Sequence, residues 1–129
     1  MRELTYEDLR EGEDLGAIRY QLTQAKLAAY QEAIGDPSAA LATIASKEYA
    51  YLLATRYLPS TRINARHEAW YSGIPPIGDT LTVTGMVLSK YIRKDRQFIV
   101  VETRTHDALG NEVVKAHTTL MLGALDRQR

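Results

Sequence analysis

The sequence has no cysteine, so disulfides, thiolate metal sites and cysteine nucleophiles are excluded. It has no net charge, because 16 basic residues balance 16 acidic ones. That balance argues against a general electrostatic attraction to nucleic acid or to an anionic membrane surface. No apolar run is long enough to span a bilayer. The acidic opening, Met1 to Gly16, lacks the apolar core of a signal peptide, and the expected compartment is the cytoplasm. Phenylalanine and tryptophan occur once each, against eight tyrosines. Histidine is scarce, and none stands before His67.

What remains is an ordinary globular composition, 45% apolar and 25% charged over 129 residues. That is enough chain for one domain with a real core, expected to span 1–129. There is no internal repeat, linker or low-complexity segment. The patterning changes once, near Pro59, from mostly helical to mostly extended. Gly16 to Leu22 alternates apolar and polar residues as a half-buried strand does. Thr23 suits a helix N-cap, Leu27, Tyr30 and Ile34 share a helical stripe, and Gly35 suits the C-terminal end. A second helix is expected over roughly residues 42–58, carrying Glu48, Tyr49, Tyr51 and Tyr57, with Pro59 after its end.

Four strand-like runs follow. The first places Ile63, Ala65, His67 and Ala69 on one face. A loop rich in proline and glycine leads to the second, which begins at Leu81. A polar turn around Lys94 and Asp95 leads to the third. Ala108 to Gly110 joins the third and fourth as a hairpin. Their expected inner faces are Ile99, Val101, Thr103 and Thr105, opposed to Val114, Ala116, Thr118, Leu120 and Leu122. The fold class these elements require is α+β, with an antiparallel sheet wrapped around one buried helix.

Three pieces of sequence carry a family likeness: Pro76-Ile77-Gly78-Asp79-Thr80-Leu81, the closing hairpin with Asp107 and Gly110 at its turn, and the opening Tyr6 to Glu13. With the order strand, helix, Gly35-Asp36, helix, they make the chain resemble the MaoC-like hot-dog proteins, which include R-specific enoyl-CoA hydratases and acyl dehydratases. The resemblance implies a hot-dog fold and a hydro-lyase chemistry. In that chemistry an aspartate and a histidine hold one water, and a backbone N–H at the start of the central helix polarises the thioester carbonyl. Asp36 matches the aspartate. The histidine position falls at about Leu41, which can neither take nor give a proton, and the loop after Asp36 is shortened. The resemblance therefore points to an acyl-thioester-binding subunit whose catalytic pair is incomplete, paired with an active hot-dog subunit.

The same residues leave other readings open. Asp36 and His67 are the candidate catalytic groups if the chain is an active homomeric hydratase. Asp36 or Glu48 would serve a hot-dog thioesterase. A non-enzymatic acyl-binding or scaffold module is the third possibility. Asp36-Pro37 after a glycine is also ordinary turn punctuation, and His67 among small residues on a sheet face is also an ordinary packed histidine. His106 and His117 fall on the faces opposite the core, with Glu102, Arg104 and Lys115, and their spacing suggests no metal site. Candidate substrate contacts are Tyr49 and the basic cluster Lys90, Arg93, Lys94 and Arg96, suited to the phosphates of coenzyme A or of a carrier protein's prosthetic group. The alternative for that cluster is a solvated hairpin tip. No cofactor is expected beyond the coenzyme A or carrier-protein thioester that brings the substrate. The expected partners are that thioester and a second copy or a second MaoC-like chain, with no nucleic acid and no membrane.

Overall fold

The structure, a computed structural model, describes residues 2–23, 48–58, 63–73 and 78–124. Seven strands and a central helix organise them: β1 (Arg2–Glu3), β2 (Asp14–Gln21), helix α1 (residues 48–54), β3 (Tyr57–Leu58), β4 (Ile63–Tyr71), β5 (Thr80–Arg93), β6 (Arg96–His106) and β7 (Glu112–Ala124). The five long strands form one antiparallel sheet in the order β2-β5-β6-β7-β4. The expected first helix, Asp36 and Leu41 lie outside the described residues.

The alternation read from the sequence sets which face of this sheet is buried. Ile99, Val101, Thr103 and Thr105 on β6 and Val114, Ala116, Thr118 and Leu120 on β7 are all buried. Leu81, Val83 and Val87 on β5 continue the same face. Helix α1 lies over it and buries Glu48, Leu52 and Leu53, positions that recur at helical spacing on one side. Burial of this apolar surface is the main force that holds the helix to the sheet.

Two turns fix the strand register. Lys94 and Asp95 both adopt left-handed backbone (φ 51° and 64°) between β5 and β6. A two-residue loop with that geometry matches the twist of the flanking strands. Between β6 and β7, the Asp107 carboxylate accepts hydrogen bonds from the Leu109 and Asn111 backbone N–H groups at 3.0 and 2.9 Å, and Gly110 has φ 88°. These are the residues an Asx turn requires. The segment entering β5 follows the same logic: Gly78 has φ 95°, and the Asp79 carboxylate accepts from the Ala108 backbone N–H at 3.2 Å, tying two loops together.

The helix ends earlier than its apolar pattern suggested. Helical geometry stops at residue 54, and Tyr57 lies in β3, which pairs in parallel with β1. The Thr55 hydroxyl donates to the Leu52 carbonyl at 2.7 Å, taking the acceptor that the next turn would need. The Arg56 guanidinium donates to the Asp14 carbonyl and to Glu13, drawing the chain toward β2. A second difference is at Ala65, which is exposed: β4 is irregular between Asn64 and Arg66, and this breaks the expected inward alternation at Ala65.

The helix approaches the sheet most closely at Gly85, where an added Cβ would meet Leu52 Cδ1 at 2.7 Å. Leu52 is itself buried, so it must shift within the packed layer to make room. Gly85→Val should therefore lower stability by about 1–3 kcal/mol, read as a reduced urea midpoint. An unchanged midpoint would show that the helix packs elsewhere.

Candidate functional site

Among the described residues, one carboxyl is buried in the layer between α1 and the sheet. Glu48 is 1% exposed. The Tyr20 hydroxyl, from β2, donates to Oε2 at 2.8 Å, and the Thr105 hydroxyl, from β6, donates to Oε1 at 2.7 Å. Loss of water around the carboxyl pushes its pKa up, and the two hydroxyl bonds oppose that rise without cancelling it. The charge of Glu48 also reaches Tyr71, whose pKa is raised by burial first and by Glu48 second. A carboxyl with both oxygens occupied and no solvent access cannot serve a water as general base unless these bonds open.

His67 lies on the same inner face but in another row. Its Nδ1 is 3.0 Å from Thr118 Oγ1, and its Nε2 is buried without a hydrogen-bond partner. Burial pushes its pKa down, which favours the neutral ring. The register separates the two groups. His67 pairs with Thr118, whereas Thr105 pairs with Val114 and Val114 with Tyr71. The Glu48 row therefore meets β4 four residues beyond His67, about 13 Å along the strand. Glu48 and His67 are two polar stations in one layer, and they do not share a water.

The other sequence candidates take up structural positions. Tyr49 is half-buried and packs against the core formed around Leu53. Lys90 turns away from the hairpin tip: its Nζ donates to the Tyr6 carbonyl at 3.0 Å and lies 4.3 Å from the centre of the Tyr6 ring. Arg93, Lys94 and Arg96 stay exposed around the β5–β6 turn. On the outer face, Glu102 is held between Arg104 Nε at 3.0 Å and His117 Nε2 at 2.9 Å, and Arg104 also reaches Glu112. Burial works to raise the Glu102 pKa, but the bonds from His117 and Arg104 bring it below the usual value. Trp70 meets His117 edge-on at 4.8 Å. Among the described residues, no three potential ligands come together as a metal site would require.

Sequence reasoning missed Tyr20 and Thr105 as the partners of Glu48. The available signal was threonine at three core positions of the closing strands, Thr103, Thr105 and Thr118, where valine would fill the same space.

No protein-family model matches the sequence, and no curated protein matches it. Solved structures do match. A MaoC-like dehydratase from Rhodospirillum rubrum superposes with TM-score 0.70 at 22% identity, covering 96% of this chain and 99% of that one. An (R)-hydratase from A. caviae involved in PHA biosynthesis gives 0.68 at 17% identity, covering 93% and 99%. The HadBC (3R-hydroxyacyl-ACP dehydratase) complex from Mycobacterium tuberculosis gives 0.67 at 17% identity, covering 86% of this chain and 96% of the matched chain. The chain has the hot-dog fold of the MaoC-like dehydratases and R-hydratases. In this hot-dog, the sequence pieces that carried the resemblance, Gly78-Asp79 and Asp107 to Gly110, are the turn-forming residues described above.

The raised pKa of Glu48 has a measurable consequence. The folded hot-dog holds this proton more tightly than the unfolded chain does. The contribution is complete below the ordinary carboxylate range and is lost as pH rises through the native pKa. Glu48→Gln removes that loss while keeping the shape. The melting temperature of the variant relative to wild type should therefore rise as pH rises above the ordinary carboxylate range, measured by calorimetry. A pH-independent difference would mean that Glu48 titrates normally.

Proposed function

We propose that this chain is the acyl-thioester-binding, catalytically degenerate subunit of a hydratase or dehydratase of the MaoC type, working beside a second hot-dog chain that supplies the acid–base pair. The observation that carries this reading is the separation of polar stations on the inner face. Among the described residues, Glu48 is occupied by Tyr20 and Thr105, and His67 lies about 13 Å further along the strand against Thr118. The sequence adds that no histidine follows Asp36 before His67, with Leu41 at the position where the family places one. A matched fold also occurs in a two-component dehydratase, HadBC.

The sheet supports a paired assembly. Its two edges are β2 and β4. The β2 edge is interrupted by an irregularity between Asp14 and Gly16, where Gly16 has φ 89°. The β4 edge is regular from Arg66 to Tyr71 and ends in Trp70 and Tyr71, which are 45% and 48% exposed. An open strand of that kind invites pairing with another strand. In this reading, Arg93, Lys94 and Arg96 offer their charges to the phosphates of coenzyme A or of a carrier protein.

The purified chain alone should not hydrate crotonyl-CoA, and the complex with its partner should. Each missing acid–base group costs roughly 10²–10⁴-fold in rate, so Asp36 alone leaves the reaction near background. Asp36→Ala should change the rate of the complex by less than about threefold. Rapid hydration by the chain alone, abolished by Asp36→Ala, would overturn the proposal. Light scattering at micromolar concentration should report a dimer or larger species, and a monomer would remove the β4 pairing.

A further inference from the structure

The open edge of β4 has an alternation of its own. The Ser72 N–H donates to the Val113 carbonyl at 2.9 Å, so these two form a hydrogen-bonded pair of the antiparallel ladder. Such pairs alternate, and Trp70, Glu68 and Arg66 therefore turn their backbone groups toward β7. The backbone N–H and C=O groups of His67, Ala69 and Tyr71 face outward instead, where no strand among the described residues pairs with them. The side chains of these three share the inner face, where His67 meets Thr118. Two of the three lack a neighbour. Among the described residues, Nε2 of His67 is buried without a hydrogen-bond partner, a costly state for a polar atom. Tyr71 is 48% exposed although it lies on the side of the sheet that packs the core. Ala69 stands between them, small and half-buried.

We propose that a second copy of this chain pairs antiparallel with this edge about a two-fold axis at Ala69, and that the partner's Tyr71 hydroxyl bonds to His67. A two-fold axis makes the contact self-complementary, so each residue meets its counterpart in both directions. With the axis at Ala69, His67 of each copy lies opposite Tyr71 of the other, with Cα atoms about 5.5 Å apart. The His67 ring is half-buried and not enclosed, so a group that arrives along the edge reaches it by a small side-chain turn. A tyrosine hydroxyl both donates and accepts. It therefore suits Nε2 whichever ring nitrogen carries the proton beside Thr118. The other registers that match outward backbone groups are worse. An axis at Glu68 sets two like charges side by side. An axis at Trp70 sets His67 against Gly73, which has no side chain to offer. An axis at His67 runs the pairing into the irregularity between Asn64 and Arg66, and an axis at Tyr71 runs it past the end of the strand. The contact is independent of the acyl-thioester reading above, because it needs only two copies of this chain.

The chain has no cysteine, so single engineered cysteines report the register by disulfide formation. Under mild oxidation Ala69→Cys should link two chains, because about 5.5 Å between Cα atoms suits a disulfide. Glu68→Cys and Trp70→Cys should not link, because each is offset from its own copy by two residues, beyond the limit of about 7 Å between Cα atoms. Sedimentation equilibrium of the full chain reads the side-chain contact. Tyr71→Phe should raise the dimer dissociation constant about tenfold or more, because each dimer loses two hydrogen bonds. In a His67→Leu background the same change should have no further effect, since the atom it bonded is already gone. If His67→Leu does not fold, the cysteine series and Tyr71→Phe decide alone. A monomer at micromolar concentration, a link at Glu68 or Trp70 in place of Ala69, or an unchanged dissociation constant in Tyr71→Phe overturns the inference. None of these outcomes bears on thioester binding, which the hydration measurements above decide.

Discussion

A carboxyl shut between a helix and a sheet constrains both. Glu48 is bonded to β2 through Tyr20 and to β6 through Thr105, so the position of α1 is fixed along the sheet as well as above it. Apolar contacts from Leu52 and Leu53 hold the helix down, but such contacts are non-directional and would tolerate a slide. The hydroxyl bonds do not tolerate it, because a displaced Glu48 would be left buried and unpaired. Gly85 completes the constraint by letting Leu52 sit directly on β5. The register of the sheet, the depth of the helix and the location of polar groups in the layer are therefore coupled.

That coupling also shapes the chemistry the layer can do. The groups that would act as acid and base in a hydro-lyase must converge on one water. On the described inner face, Glu48 and His67 lie in different rows and each has its own threonine. Burial pushes both toward the neutral form, Glu48 by raising its pKa and His67 by lowering it. Groups shut away from water and held by hydroxyls are less suited to moving protons than groups that share an exposed water. The outer face has the opposite character: Glu102 is kept ionised by Arg104 and His117, in a ladder that crosses β6 and β7 and reaches Trp70 on β4.

The family likeness was legible because its motifs are turn chemistry. Gly78 and Asp79 set the entry into β5, and Asp107 and Gly110 set the last hairpin; each residue type follows from a backbone angle or a hydrogen bond that the turn needs. Such motifs announce a fold and say little about activity. The basic cluster read from the sequence shows the limit of proximity along the chain. Lys90, Arg93, Lys94 and Arg96 look like one patch, yet alternation sends Lys90 to the inner side, where it meets Tyr6.

By itself, the sequence determined that four long strands follow Pro59, the inner faces of β6 and β7, and the two turns that join β5 to β6 and β6 to β7. These are local consequences of side-chain period and backbone preference, and they need no distant partner. It also showed that no histidine stands near Asp36. Only the tertiary structure decided that α1 stops at residue 54, because Thr55 and Arg56 are captured by Leu52 and by β2. It alone decided that Glu48 meets Tyr20 and Thr105, residues 28 and 57 positions away in the chain. The burial that changes the proton affinity of Glu48 is a property of packed layers, which no stretch of sequence contains.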